Sequence, residues 1–542
     1  MARSCSIRAF AVAILSFAAA WAWSCGDGSP GGTDSDADTD ADTDTDTDSD
    51  TDSDTDTDTD SDTDSDTDTD TDSDTEPEAI CDALPLFDVS APDATVGDGT
   101  PESCTAAALQ TAADSGGVIV FDCGASPVAI VITSEIVFTQ ETVLDGGGLV
   151  TLNGGGVSRI LYLDSGYDQT TPRLAVQRLT FRDGASQPGG DDTAVGGGAI
   201  YRDGGSLTVI GCDFIDNRAP SPGQDIAGGA IYGFGGGDIV IAGSTFTGNS
   251  ASDGGAVGSL NGDLTIINSS FTGNAATGTG GNPGNGGCGG AIYMDGADEA
   301  TSLCGVTIAD NEAGAIAGGF FRVSNDNSGS FAMDRTTVDS NIVTAEEGNA
   351  GGLYLQGLDM SIENSTISRN QGFYNGGIWI HTSDVEMTNT TIVGNVATGS
   401  NGGGLWLSSP VTGTILNCTI AGNSAPADGQ GGGAAFNAGA VEGLELKNTI
   451  VADNTSGTWA PGCSDALGDG GGNLEWPDGQ GCAASPLVAD PLLGELGGNG
   501  GPTETMLPDA ASPAHDLGTG CPETDQRGEP RSEPCTAGAV EI

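Results

Sequence analysis

Along most of the chain, apolar and polar residues alternate inside short segments, and each segment closes on an asparagine. The closing positions are Asn217, Asn249, Asn274, Asn311, Asn341, Asn370, Asn395, Asn423 and Asn454. Three residues before each stands Phe214, Phe246, Phe271, Ile308, Val338, Ile367, Ile392, Ile420 or Val451. Eight before stands another apolar residue, from Val209 and Ile241 to Ile415 and Leu446. Five before stands Cys212, Ser244, Ser269, Val306, Thr336, Ser365, Thr390, Cys418 or Thr449, nearly all small or β-branched and two residues from the first apolar column. Spacings of two between inward positions are strand spacings, because successive side chains of an extended chain point to opposite faces. Six residues before the asparagine the register breaks, at Gly211, Gly243, Asn268, Gly305, Arg335, Asn364, Asn389, Asn417 and Asn448. Gly and Asn best tolerate left-handed backbone, so this column predicts a sharp bend between two short strands. The closing asparagines predict a second corner, bonded side chain to side chain along the stack. A degenerate earlier unit, LAVQRLTFRDG, places Gly184 at the asparagine position, as a left-handed corner would allow.

A third strand starts at paired small residues, as in Gly198-Ala199-Ile200-Tyr201 and Gly403-Gly404-Leu405-Trp406. From this strand to the closing asparagine the distance hardly varies. Length variation concentrates between the asparagine and the next glycines, from the short GFYN before Gly376 to ATGTGGNPGNGGCG before Gly290. Three short strands, two fixed corners and one variable loop per unit predict a parallel β-helix. Its coils would stack at about 4.8 Å, giving roughly 60 Å for a dozen. Propeller blades need about 40 residues and four antiparallel strands, more than the shortest units offer.

Composition agrees: Gly is the commonest residue at 90, against 14 Lys and Arg together. Interior glycines weaken a helix by about 1 kcal/mol each. The net charge of −64 argues against nucleic acid and anionic lipid as partners, both being polyanions. At the N-terminus, Arg3 and Arg8 precede an apolar run from Ala9 to Trp21, which reads as a signal peptide over residues 1–24. Ala22-Trp23-Ser24-Cys25 is similar to a bacterial lipoprotein signal, which implies acylation of Cys25 and a membrane lipid anchor; a secretory signal cleaved nearby is the alternative. Residues 25–78 then carry Asp at every second position from Asp34 to Asp74. Such a segment buries nothing and repels itself, so a disordered, extended spacer is expected, on the order of 140 Å at full stretch. An EF-hand reading fails for want of the turn Gly and the distal Glu.

Paired Gly with Ala-Ile, followed by Phe-x-x-Asn, resembles the repeats of the polymorphic outer-membrane proteins. That resemblance implies an all-β, right-handed, single-stranded parallel β-helix of the pectate-lyase-like kind, placed over residues 126–489. DPLLGELGGNGGPTETMLPDAASPAHDLG (Asp490 to Gly518), with Thr524 to Gly528 and Gly538 to Glu541, is similar to the choice-of-anchor Q type of C-terminal module, placed over 490–542. SCTAAALQTAADSGGVIVFDCG resembles the helical cap of such proteins, placed over 79–125. A cap is physically required, since a bare end coil would expose its core and its strand edges.

Chemistry is sparse. Lys447 is the only lysine, and His381 and His515 are the only histidines, far apart in sequence. Acids in the repeats form no column of pairs at fixed offset, as a hydrolase with two carboxylates would need. No catalytic residue, metal ligand or cofactor is assigned. Cys104 with Cys123, Cys288 with Cys304, Cys463 with Cys482, and Cys521 with Cys535 are close in sequence and are expected as local disulfides; Cys212 and Cys418 stand too many coils apart to meet. The column with most potential is aromatic: Tyr201, Tyr232, Tyr293, Phe321, Tyr354, Trp379, Trp406 and Phe436, with Gly258 as its blank. If their apolar neighbours face the core, these side chains face out and form a platform for a sugar or a protein partner. An internal stack, or cover by the variable loops, is the alternative. The expected function is a non-enzymatic scaffold or adhesin at the bacterial cell surface or outer membrane, or secreted. It would bind an extracellular polysaccharide or a surface protein. The alternative is a polysaccharide lyase or glycoside hydrolase.

Overall fold

A computed structural model describes residues 80–426, 432–437, 443–457 and 461–542. The signal peptide, Cys25 and the acidic spacer before residue 79 lie outside the described residues, as does the Phe436 side chain.

The repeating unit folds into one coil of a parallel β-helix, and each column of the sequence becomes a ladder. In the first sheet, Ile200, Ile231, Val257, Ile292, Phe320, Leu353, Ile378 and Leu405 stand in parallel register. In the second, Val209 pairs with Ile241, Ile241 with Ile266 and Ile266 with Leu303, and the series continues to Leu446. In the third, Phe181, Phe214, Phe246, Phe271 and Ile308 lead to Val451. All three ladders point into one continuous buried core. There the rings of Phe214, Phe246 and Phe271 stack at 4.6 Å, so offset faces rather than edges fill the third-sheet wall. A fourth, six-stranded sheet of two-residue strands, such as Ser250–Ala251 and Ala275–Ala276, follows the asparagines; so short a pattern leaves no periodicity to read.

Both corners adopt left-handed backbone. The whole bend column, Gly211 to Asn448, has φ between +46° and +66°, Arg335 included. At the second corner the left-handed residue is the one before the asparagine, at φ +53° to +68° from Asp216 to Asp453. Gly184 is therefore not a left-handed corner; Asp183 at φ +51° is. Gly184 serves by lacking a side chain, since a Cβ there would lie 2.3 Å from the Gly198 carbonyl oxygen. The asparagines form the expected ladder, fully buried. From Asn217 to Asn423, each side-chain N–H donates to the next Oδ1 at 2.9–3.0 Å. The backbone N–H of Asn311 also donates to Asn341 Oδ1 at 3.0 Å, and its side chain donates to the Phe271 carbonyl of the preceding coil at 3.0 Å. Each amide thus satisfies corner groups that would otherwise be buried unpaired.

One end is closed by helix α1 (Ala106–Ala113), N-capped by Thr105, with Leu109, Ala112 and Ala113 buried against the first coil. The Cys104–Cys123 disulfide spans this cap. Cys463–Cys482 and Cys521–Cys535 also form, and Cys212 and Cys418 stay buried as thiols. The expected Cys288–Cys304 pair does not form. Cys304 bonds Cys81, 223 residues away in sequence, and Cys288 is a buried free thiol. Proximity in sequence misleads here because Cys288 precedes the first-sheet strand whereas Cys304 ends the second-sheet strand.

Segments flanking the repeats, around residues 80–87 and 519–524, run along the bend column. Asn268 exchanges two hydrogen bonds with the Cys81 backbone, at 2.9 and 2.8 Å, and Gln177 does the same with Phe87, at 2.8 and 3.2 Å. On the C-terminal side, Asn389 donates to the Thr524 carbonyl at 2.8 Å, and Asn448 donates to the Thr519 carbonyl at 3.1 Å. The bend asparagines therefore do two things, turning the chain and gripping the flanking segments; only the first is visible in their periodicity.

Candidate functional site

The aromatic column lies where alternation places it, on the outer side of the first sheet, with Tyr201, Tyr232, Gly258, Tyr293, Phe321, Tyr354, Trp379 and Trp406 in register. It is not an open platform. Tyr201, Tyr232, Tyr293, Phe321 and Tyr354 are buried in a second apolar cluster, separate from the main core and roofed by the variable loops. Tyr201 donates to the Thr193 carbonyl at 3.0 Å, and Asn282 donates to Tyr293 Oη at 2.8 Å. The ring faces are occupied too. Phe321 stacks on Tyr293 at 5.3 Å and on Tyr354 at 4.9 Å, both within 7° of parallel. A sugar stacks on a ring face, and at these five positions the rings are covered by one another or by the loops.

Gly258, the blank, follows from the same roof. A Cβ at Gly258 would lie 2.5 Å from the Ala227 Cβ, so the loop passes too close for any side chain. Beside it, Asp253 is fully buried. Its Oδ1 accepts the Cys288 backbone N–H at 2.8 Å, and its Oδ2 has no partner. Burial holds its carboxyl well above the usual range, reinforced by the charge of Asp225.

The column emerges at its far end. Trp379 and Trp406 are half-buried and stacked 4.0 Å apart at 13°. The Tyr354 ring meets Trp379 edge-on at 4.7 Å, and Tyr374 lies 6.3 Å from Trp406. Trp379 Nε1 donates to Ser408 Oγ at 2.6 Å, and His381 Nδ1 lies 2.9 Å from the same hydroxyl. Burial lowers the His381 pKa below 6.5, so the ring is neutral at pH 7. Indole edges, a phenol, an imidazole and a hydroxyl thus share one half-open surface. The closing asparagines contribute no site; all nine are core.

A second concave region lines the turn between the first and second sheets, where Asp238, Asn261, Asp263, Asp298 and Glu299 gather. Arg202 and Arg322 lie beneath, both fully buried. Arg202 donates to the Gly205 carbonyl at 2.8 Å and the Gly235 carbonyl at 3.1 Å; burial pushes its pKa down to about 10. Arg322 donates to the Glu299 carbonyl at 2.7 Å and lies 3.8 Å from its carboxylate. Both guanidiniums hold corner carbonyls and cannot reach a substrate. Sequence reasoning passed over them, although alternation after Tyr201 and Phe321 already turns both inward. Among the described residues, no three His, Cys, Asp or Glu side chains are placed to hold a metal.

Residues 281–465 match the family described as right handed beta helix region. The fold is a right-handed parallel β-helix. No curated protein matches the chain. Among solved structures, the chain is similar to the A-module of the Azotobacter vinelandii mannuronan C-5 epimerase AlgE4, at 13% identity and a TM-score of 0.30 over 72% of this chain and all of that one. It is also similar to the A-module of AlgE6 from the same organism, at 12% identity and a TM-score of 0.29 over 74% of this chain and all of that one.

Proposed function

We propose that the chain is a non-enzymatic scaffold of the bacterial cell surface, held by an acylated Cys25 and an acidic spacer, whose loop-bearing side binds an extracellular polysaccharide. One observation carries this reading: the aromatic column, roofed from Tyr201 to Tyr354, opens at Trp379 and Trp406 beside Tyr374, His381 and Ser408. Apolar ring edges mixed with hydroxyl and imidazole groups suit the alternating C–H and O–H surface of a sugar. Retention of the purified chain on immobilised neutral and acidic polysaccharides tests it. The double variant Trp379→Ala, Trp406→Ala is expected to lose retention at least tenfold; unchanged retention would remove this surface from the reading.

The enzyme alternative, a lyase or hydrolase, has in its favour the convergence of Asp238, Asp263 and Glu299 in one concave turn. Against it stands the engagement of Arg202 and Arg322 by backbone carbonyls. Cleavage of any polysaccharide that is abolished by Asp263→Asn would establish the alternative and overturn the scaffold.

A further inference from the structure

The N-terminal strap crosses the bend column before it reaches the cap. It meets the β-helix at Cys81, and three ties converge there. Cys81 is disulfide-bonded to Cys304. Its backbone N–H and C=O are both bonded by the Asn268 side chain. Arg335 Nη1 donates to the neighbouring Ile80 carbonyl at 2.8 Å. Cys304 is not at an end of the stack: its strand pairs on one side through Ile267 and on the other through Asp334. The strap then runs back to Gln177, and the strand Ala94–Val96 joins the cap through Gly117–Phe121.

We propose that the Cys81–Cys304 bond is a force shunt. A pull on the N-terminal segment reaches Cys81 and crosses directly to Cys304, in mid-stack. Residues 82–303 then lie outside the path of the load. They include helix α1, its Cys104–Cys123 disulfide and every coil carrying Tyr201, Tyr232 and Tyr293. Without the bond, the same pull would enter at the cap and peel coils one at a time, each coil holding only its neighbours. Asn268 and Arg335 place backbone hydrogen bonds at the same point, so the attachment is braced beside the covalent tie. This holds for any tension applied through the N-terminal segment and does not depend on what the loops bind.

Single-molecule pulling on the full chain, with peptide-tag handles at both ends, tests it. The 223-residue separation, less the 19 residues closed by Cys104–Cys123, leaves 204 residues that load cannot extend while the bond is intact. At about 3.5 Å per residue, the wild-type chain should unfold to a contour length roughly 70 nm shorter than Cys81→Ser, Cys304→Ser. Equal lengths would overturn the proposal. Should the double variant not fold, the wild-type chain pulled before and after full reduction makes the same comparison, with an expected gain of roughly 90 nm once the Cys463–Cys482 and Cys521–Cys535 loops open as well. A non-reducing peptide map of the wild type must also contain the Cys81–Cys304 cross-link; its absence overturns the proposal independently.

Discussion

The two long sides of this β-helix solve the same problem in different ways. Each must dispose of the backbone groups where a coil turns. On the asparagine side the coils from Asn217 onward share one solution, a left-handed residue followed by a buried amide that bonds the neighbouring coils. On the loop side each coil differs, from the short segment before Gly376 to the long one before Gly290, and backbone groups are met by whichever side chain is near, as Ser252 meets the Gly223 N–H and Asp253 the Cys288 N–H. The uniform side is a repeating structure whose stability is shared by neighbours. The variable side is a set of separate packing problems.

The largest test of that contrast removes one rung. Asn311→Ala deletes acceptors for the Asn274 backbone and side-chain N–H groups and donors to Phe271 and Asn341. Buried groups left unpaired cost about 1–3 kcal/mol each, so a loss of roughly 3 kcal/mol or more is expected in denaturant titration. Asn285→Ala, an exposed loop asparagine, should stay within about 0.5 kcal/mol. Equal effects would mean that the ladder is ornamental.

Next in size is the blank in the aromatic column. Gly258→Tyr restores the column's chemistry but drives a side chain into Ala227. Overpacking of this kind costs about 1–3 kcal/mol, read as a lower denaturation midpoint. A neutral or stabilising result would show that the loop can lift, and that the roof over Tyr232 and Tyr293 is looser than their burial indicates.

The same contrast explains what could be read in advance. The three strands per coil, both corners, the inward columns and the asparagine ladder were legible, because each is a repeated residue choice with one physical cause. Glycine answers two different demands, left-handed backbone and close approach, so Gly184 points to a corner one position beyond the true one at Asp183. The aromatic column was placed on the correct face, yet its exposure was not legible. That depends on loops of unequal length folding over it, and a loop such as ATGTGGNPGNGGCG carries no period. The Cys81–Cys304 bond was hidden for a similar reason: nothing local records that residues 80–93 run back along the stack. The periodicity of Asn268, Asn389 and Asn448 shows them as bend formers, whereas their grip on the flanking segments lies outside any pattern internal to the repeat.

Smaller effects separate the two sides by pH. The asparagine ladder has nothing to titrate, whereas the loop side holds buried ionisable groups. Asp253 has a folded pKa above its ordinary 3.8, so the native state keeps a proton that the unfolded chain releases. Stability is expected to fall as pH rises above about 4, through the range in which the unfolded carboxyl is ionised and the folded one is not. Asp253→Asn keeps an acceptor for the Cys288 N–H and cannot ionise, so it should flatten that slope between pH 4 and 8. The neighbouring Asp225, also raised by burial, would leave a residual slope. Denaturation midpoints across this range check the difference, and parallel curves for wild type and variant would absolve Asp253.

The smallest expected effect has the opposite sign and sits at the open end of the column. His381 titrates below 6.5 because its ring is half-buried beside Trp379 and Ser408. The unfolded chain therefore gains a proton before the folded one does, and stability should decline slightly as pH falls through about 6.5. The chain has only two histidines, so the His381 ring is identified in an NMR titration by the resonance that disappears in His381→Asn. A midpoint at or above 6.5 would mean that this end of the column is more open than its burial suggests. A midpoint below 6.5 that rises when a bound oligosaccharide brings an acidic group to the ring would tie the same histidine to the ligand surface. In either case the asparagine ladder takes no part in the response, because its amides carry no charge at any working pH.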